Sequence, residues 1–522
     1  MTERIALIGL DGATWDLLRG WLEDDTLPNL KCVYEDGFSG TLKSTIPANT
    51  SPAVQSLYTG CDPATLGLFG FQKPDGTTIS LQDVTVPKLW TVLGEHDRAS
   101  CIVNVRTTFP PDPVNGVMLS GDPMPGEDSD YAYPPELKQE VAGFRCQEKD
   151  DRMHKDLVPP YEHNEEVLQH AKDIFTHRFG TFRELAADGD YDFLMYWIGE
   201  TDFLQHRLWN NTDDLKTFYE VLDEKLGEFL AEFDGTVIFL SDHGFEGPPT
   251  TVFYLNEWLR REGYLTVPGG RVGARLLGIG QNFAKQYINK DLLMRVLYFR
   301  QQRMGDSATD TDADDHTLGI NKPHLQIPGI SSRSTAQLAT NCGIEIHPDE
   351  DQRSVADNIK SKLVSLTDDQ GTPVMKEVFH RSEIYDEGPY FDDIPDLLFQ
   401  ASEHVTVNPE LSSTVFETIP SGNRSGRGRH VYARNGVIFG SGPAVKSARG
   451  IEADITDVTP TILHLFGLPV AETMTGSVIT EICPDNGANV QSDSYISESE
   501  ITRIDEGEQE EMEEWLEDMG YI

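Results

Sequence analysis

Three stretches of apolar, β-branched or aromatic residues, 4–10, 193–198 and 236–241, run straight into metal-ligand chemistry: Asp11 follows the first, Asp202 the second, and Asp242 with His243 the third. Strands this uniformly apolar lie with both faces covered, which is the signature of a parallel sheet inside helical layers. In an open α/β sheet, side chains just beyond the carboxyl ends of adjacent strands converge on one crevice. The sequence therefore predicts a mainly parallel sheet flanked by helices, with a polar site assembled at one edge. His206 and His430 are candidates to join that site.

The same alternation organises the rest of the chain. Amphipathic helical patterns at 164–177 and 215–233 separate the strand-like runs up to about residue 250, and regular α/β texture returns at 436–440 and at 455–463, a helix with Pro460 in its first turn. Between them the texture changes to short mixed elements. A discontinuous core of 1–250 and 416–484 is expected, with an inserted, substrate-selecting cap at 251–415. Residues 485–522 read as an acidic linker followed by a short docking helix.

Composition narrows the partners. The 522 residues carry 87 acidic against 42 basic side chains, a net charge of -45 that disfavours nucleic acid as a bulk partner. Acidity spread along the whole chain resembles the adaptation of salt-in halophiles such as haloarchaea, in which high ionic strength screens self-repulsion. The six cysteines show no C-x-x-C pairing and read as reduced thiols, and no apolar stretch reaches the ~20 residues needed to span a bilayer. A strand begins within a few residues of the amino terminus, leaving no room for a signal peptide, so a cytoplasmic enzyme is expected. The basic, Leu-rich stretch 271–303 contrasts with this background and suggests a cap helix able to meet a membrane surface peripherally or to pair with the acidic body. Oligomeric state is not legible.

Hard carboxylates mixed with neutral imidazoles suit divalent ions such as Zn or Mn, and two ions ~4 Å apart can clamp the attacking and leaving oxygens of a phosphoryl transfer. Asp202 and His206 stand four residues apart, one face of a helical turn. Asp242-His243 is followed by Gly244, where the chain can turn sharply. A nucleophile is offered by Thr50, read as the N-cap of a helix with Pro52 in its first turn and Gly60 closing it. There the positive end of the helix dipole favours an alkoxide and the phosphate it attacks.

In that order the residues resemble the alkaline phosphatase superfamily, in its type I phosphodiesterase/nucleotide pyrophosphatase branch. Asp11 in Gly9-Leu10-Asp11-Gly12, Thr50 nine residues before Thr59-Gly60, Asp202 with His206, Asp242-His243-Gly244, and His430 in Gly428-Arg429-His430 carry the likeness, which extends over nearly the whole chain. The resemblance implies one metal on Asp202, His206 and His430, and a second on Asp11, Asp242, His243 and the Thr50 oxygen. It departs where relatives have His-Gly followed by a phosphate-holding Asn: here stand Leu66-Gly67 and Phe71, with Gln72 or Lys73 as substitutes. Asn104 and Arg429 are further substrate contacts, Arg429 because a guanidinium fork suits phosphate oxygens.

The resulting expectation is a two-metal hydrolase of small anionic phosphate esters that acts through a phospho-Thr50 intermediate. The enzymatic alternatives are a sulfatase-like or phosphonate ester hydrolase, or a phosphomutase of the same superfamily. Thr50-Ser51-Pro52-Ala53-Val54 lacks the Cys or Ser and the Arg of formylglycine sulfatases. A degenerate binding or assembly protein is the non-enzymatic alternative, opposed by the complete ligand set.

Overall fold

The computed structural model describes residues 3–73, 76–126, 128–141, 144, 164–267, 334–347, 351–421, 428–484, 492–493 and 504–519. The basic stretch 271–303, singled out in the sequence, lies outside them. Two units are present: Met1–Pro248 with Tyr385–Phe391 and Ser425–Ile522, and Pro249–Ile384 with Asp392–Arg424.

The larger unit is built on a nine-stranded sheet. Its strands are β1 (Ile5–Leu10), β2 (Phe38–Lys43), β3 (Ser100–Val105), β4 (Gly116–Ser120), β5 (Ala132–Tyr133), β6 (Phe193–Ile198) and β7 (Thr236–Leu240). The smaller unit holds β8 (Thr251–Tyr254), β9 (Ala336–Thr340), β10 (Gly343–Ile346), β11 (Met375–His380), β12 (Leu397–Ala401), β13 (Val405–Asn408) and β14 (Phe416–Thr418); β15 (Asn435–Ser441) and β16 (Arg449–Asp454) then return to the large sheet. The order across that sheet is β16-β2-β15-β7-β1-β6-β3-β4-β5. β1 pairs in parallel with β6 and β7, and β6 in parallel with β3, whereas β15 runs antiparallel to both β7 and β2.

The three apolar runs form the centre of this sheet, as their composition requires. Successive side chains divide strictly between the faces: Ala6, Ile8 and Leu10 enter one core with Leu194, Tyr196 and Ile198, while Ile5 and Leu7 enter the other with Phe193, Met195 and Trp197. Helices Asn164–Asp188 and Thr212–Glu232 seal the first face, and both are longer than the periodic patterns that announce them. Each strand buries apolar side chains on both faces, which anchors the carboxyl edge where the polar residues emerge.

The smaller unit consists of a four-stranded sheet, β11-β12-β10-β9, and a three-stranded sheet, β13-β8-β14. The helix Gln352–Val364 contributes Ala356, Ile359 and Leu363 to its buried residues. Among the described residues no helix is long and apolar enough to cross a membrane.

Candidate metal centre and nucleophile

Five strands deliver the site. β1, β6 and β7 end side by side, so Asp11, the helix Glu200–Leu208 and Asp242-His243 leave the sheet at the same edge. Because β15 runs the other way, its beginning lies at that edge too, and the segment just before it carries His430. Backbone bonds lash this segment down: Glu246 N–H donates to Arg429 O and Arg429 N–H to Glu246 O, at 2.8 and 2.9 Å. β2 is parallel in direction to β7 on the far side of β15, so its exit also reaches this edge and leads to Thr50.

The six expected ligands fall into two groups, Asp11, Asp242 and His243, and Asp202, His206 and His430. In the first, His243 Nε2 lies 3.4 Å from Asp242 Oδ2 and 3.8 Å from Asp11 Oδ1. In the second, His206 Nε2 is 3.5 Å and His430 Nε2 4.0 Å from Asp202 Oδ1. The stacked rings of His243 and His430, with centroids 3.9 Å apart, join the groups. Asp202 and His206 occupy adjacent turns of one helix, as their spacing predicts.

The imidazoles share one hydrogen-bonding plan. Nδ1 of His206, His243 and His430 faces the carbonyl oxygen of Gly428, Gly244 and Ala48, at 3.1, 2.9 and 2.7 Å. A carbonyl can only accept, so each Nδ1 carries the hydrogen, and in the neutral ring Nε2 presents a lone pair to the site, the arrangement found in metal-bound histidines. The carboxylates are oriented likewise. Asp11 Oδ2 accepts from the Trp197 indole at 3.0 Å and from Arg106 Nε at 3.2 Å, and Asp242 Oδ1 accepts from the Gly12 N–H at 3.1 Å. Asp11 Oδ1 and Asp242 Oδ2 are buried with no hydrogen-bond partner. Buried orphan carboxylate oxygens facing imidazole lone pairs are the donor set a divalent cation requires.

Electrostatics points the same way. Burial, then the neighbouring Asp202, raises the Asp11 pKa; burial, then Asp11, pushes Asp242 up to about 7. Burial, then the charges of His243 and His206, holds His430 well below the usual histidine range. For His243 burial acts downward, but Asp242, Asp202 and Asp11 together outweigh it and raise the pKa. Three buried carboxylates repel one another here, and a cation would relieve that repulsion.

Thr50 stands beside these groups, its Oγ1 3.2 Å from His243 Nε2. One expectation is corrected. Asn49, not Thr50, caps the Thr50–Thr59 helix: its backbone is extended, and its side chain accepts from the Ser51 N–H. Thr50 becomes the first helical residue, which releases its hydroxyl from capping to face the site. Gly60 closes the helix in the left-handed conformation, as expected.

The other candidates have structural partners. Lys73 pairs with Asp83 at 2.9 Å, Gln72 donates to the Gly76 carbonyl at 3.0 Å, and Asn104 donates to the Trp197 carbonyl at 2.9 Å. Arg429 lies over the Tyr432 ring and pairs with Glu246 at 3.2 Å. Phe71 is buried with Trp515 and Leu516 of the carboxyl-terminal helix. Arg106 was missed by sequence reasoning, because an isolated arginine in Val105-Arg106-Thr107-Thr108 gives no spacing signal. The reason for Gly9, which the motif contains, was not legible either: a Cβ there would lie 2.0 Å from the Trp197 ring that reaches across to Asp11.

Residues 5–432 match the family described as type I phosphodiesterase / nucleotide pyrophosphatase. The chain belongs to that family. It is thus a phosphoesterase of the alkaline phosphatase superfamily, a hydrolase of phosphoric ester bonds. Among solved structures it is similar to phosphonoacetate hydrolase from Sinorhizobium meliloti 1021 in complex with phosphonoformate, at 14% identity over 89% of this chain and 95% of that one, with a TM-score of 0.50. It is also similar to a mutant of the alkaline phosphatase PafA, at 13% identity over 92% and 99% of the two chains, TM-score 0.50. Identities this low speak to a shared fold. No curated protein sequence matches the chain.

Proposed function

We propose that this family member is a two-metal phosphodiesterase that works through a covalent phospho-Thr50 intermediate. The observation that carries the reading is the position of the Thr50 hydroxyl, 3.2 Å from His243 in one ligand group and next to the stacked His243–His430 pair that joins it to the other. Asp11, Asp242, His243 and Thr50 would hold one divalent ion, and Asp202, His206 and His430 the other, with Zn or Mn matching the mixed carboxylate and imidazole donors. Such ions supply Lewis-acid stabilisation of the attacking and leaving oxygens.

The chain's own residues do the rest. Thr50 Oγ1 forms a bond to phosphorus as the P–O bond to the leaving group breaks, its proton passing through water to the departing alkoxide; a further water then cleaves the Thr50–phosphate bond, restoring the hydroxyl and releasing the phosphate monoester. Helix geometry aims the nucleophile. Ser51 N–H is taken by Asn49 and Pro52 has none, so backbone support for a phosphate oxygen at this helix falls to the N–H of Thr50 itself. Burial of the ligands excludes water from their carboxylates and strengthens every charge interaction between them.

The net charge of -45 supports a working environment of high salt, as in a haloarchaeal cell. Purified in molar KCl with added Mn or Zn, the protein is expected to hydrolyse bis-(p-nitrophenyl) phosphate. p-Nitrophenyl phosphate, phosphonoacetate and p-nitrophenyl sulfate rank the ester classes. Absence of metal-dependent turnover of every phosphate ester would sink the proposal.

A further inference from the structure

Behind Asp11 lies a row of four charged side chains, each no more than 9% exposed: Arg106, Asp122, Arg178 and Glu200. Arg106 touches two carboxylates at once, Asp11 through Nε at 3.2 Å and Asp122 through Nη1 at 3.3 Å. Arg178 approaches the same Asp122 oxygen at 3.5 Å and Glu200 at 3.8 Å. The two arginines balance Asp122 and Glu200, so the negative charge of Asp11, Asp202 and Asp242 is left facing the site. A planar guanidinium can serve two carboxylates in fixed directions, which a lysine cannot.

The backbone around Arg106 is held in an uncommon state. Asn104 and Thr107, which flank it, have φ of 60° and 58°, and for a β-branched threonine that region is an outlier. Such conformations persist where surrounding structure enforces them, often at functional sites. The guanidinium also lies over Gly199, where a Cβ would come within 2.2 Å of Nη2. On its outer side, 5.7 Å away, is the ring of Trp515, from the Glu506–Met519 helix at the far end of the chain. That helix is seated by Met512 in the main core, by Trp515 and Leu516 against Phe71, and by Glu511 accepting from the Gly126 N–H at 3.0 Å.

We infer that Arg106 is the positioning residue of the Asp11, Asp242 and His243 ligand group, and that the carboxyl-terminal helix holds it there through Trp515. The inference rests on the two-metal reading above. By fixing Asp11 Oδ2 together with the Trp197 indole, Arg106 turns Oδ1 toward the ligand group. Trp515 packs its ring against the guanidinium that contacts both carboxylates, so a helix some four hundred residues away in sequence sets the geometry of one metal position.

The test is metal binding to the full-length apoprotein, with Co(II) as probe, read by calorimetry and visible absorption. Wild-type protein is expected to take two equivalents. Arg106→Lys and Trp515→Leu should each weaken one equivalent by about 10–100-fold, leave the other unchanged and retain cooperative melting. Trp515→Phe, which keeps a ring over the guanidinium, should restore the lost affinity. In a His206→Ala background, where the second group is weakened, the further loss should fall on the other equivalent. Unchanged affinity in Arg106→Lys and Trp515→Leu overturns the inference, as does an equal loss at both positions, which a merely structural role would give. Wild-type protein that binds no metal defeats the two-metal reading and this inference with it.

Discussion

Asp11, Asp242 and His243 sit at the ends of central strands, all fully buried, with one oxygen of each carboxylate held by Arg106, Trp197 or the Gly12 N–H. Asp202, His206 and His430 are carried by a helical turn and a loop, and the His206 side chain is 37% exposed. The same chemistry is therefore mounted on two supports of different stiffness. On the proposed two-metal reading, the strand-borne group would be oriented before an ion binds, whereas the helix-and-loop group would depend more on the ion to draw its ligands together.

Several substitutions would break or sharpen this contrast. The largest effect is expected from Thr50→Ala, which should lower kcat by on the order of 10³-fold or more while both Co(II) equivalents still bind; loss of binding would mean that Thr50 supports the ligands rather than the reaction. Next, Asp242→Asn should remove one equivalent almost completely, whereas His206→Ala should weaken the other by about 10–100-fold, because two of its three ligands stay in place. Stopped-flow chelation with EDTA should accordingly empty the more exposed group first. Equal rates for the two ions would erase the distinction.

A smaller effect follows from protonation. Burial, then Asp11, raises the Asp242 pKa from 3.8 to about 7. A carboxyl with a raised folded-state pKa contributes stability fully below about 3.8 and loses that contribution as pH climbs through about 7. The metal-free protein should therefore melt at lower temperature at pH 7.5 than at pH 5.5, with added Zn reversing the order, since metal competes with the proton. Asp242→Asn should flatten the metal-free dependence. The smallest change is expected from Gly9→Ala, whose methyl would displace Trp197: a stability loss of about 1–3 kcal/mol, with only the strand-borne equivalent weakened.

What the sequence made legible was whatever depends on local runs. β1, β6 and β7 are apolar on both faces and so declare a buried parallel sheet, and the polar residues that follow them must share an edge. Directions and long-range partners were harder to read. Nothing in Gly436–Gly440 announces that β15 is antiparallel, yet that reversal is what brings His430 to the site. β2, Phe-Ser-Gly-Thr-Leu-Lys, is too polar to read as a strand of a central sheet. Asn49 and Thr50 are both competent caps, and only the backbone conformation decides between them. Arg106 pairs with carboxylates 95 and 16 residues away, a relation that no sequence period encodes.

The position of β15 has a consequence for synthesis on the ribosome. Among the described residues β2, which leads to Thr50, is linked by sheet hydrogen bonds to the block of β7, β1 and β6 only through β15, and β15 emerges more than three hundred and ninety residues after β2. Until it inserts, the growing chain would hold the proposed nucleophile and the proposed ligand cluster on two pieces of sheet that no sheet hydrogen bonds join. On the proposed mechanism, hydrolytic competence would thus await β15 rather than arrive with the amino-terminal half.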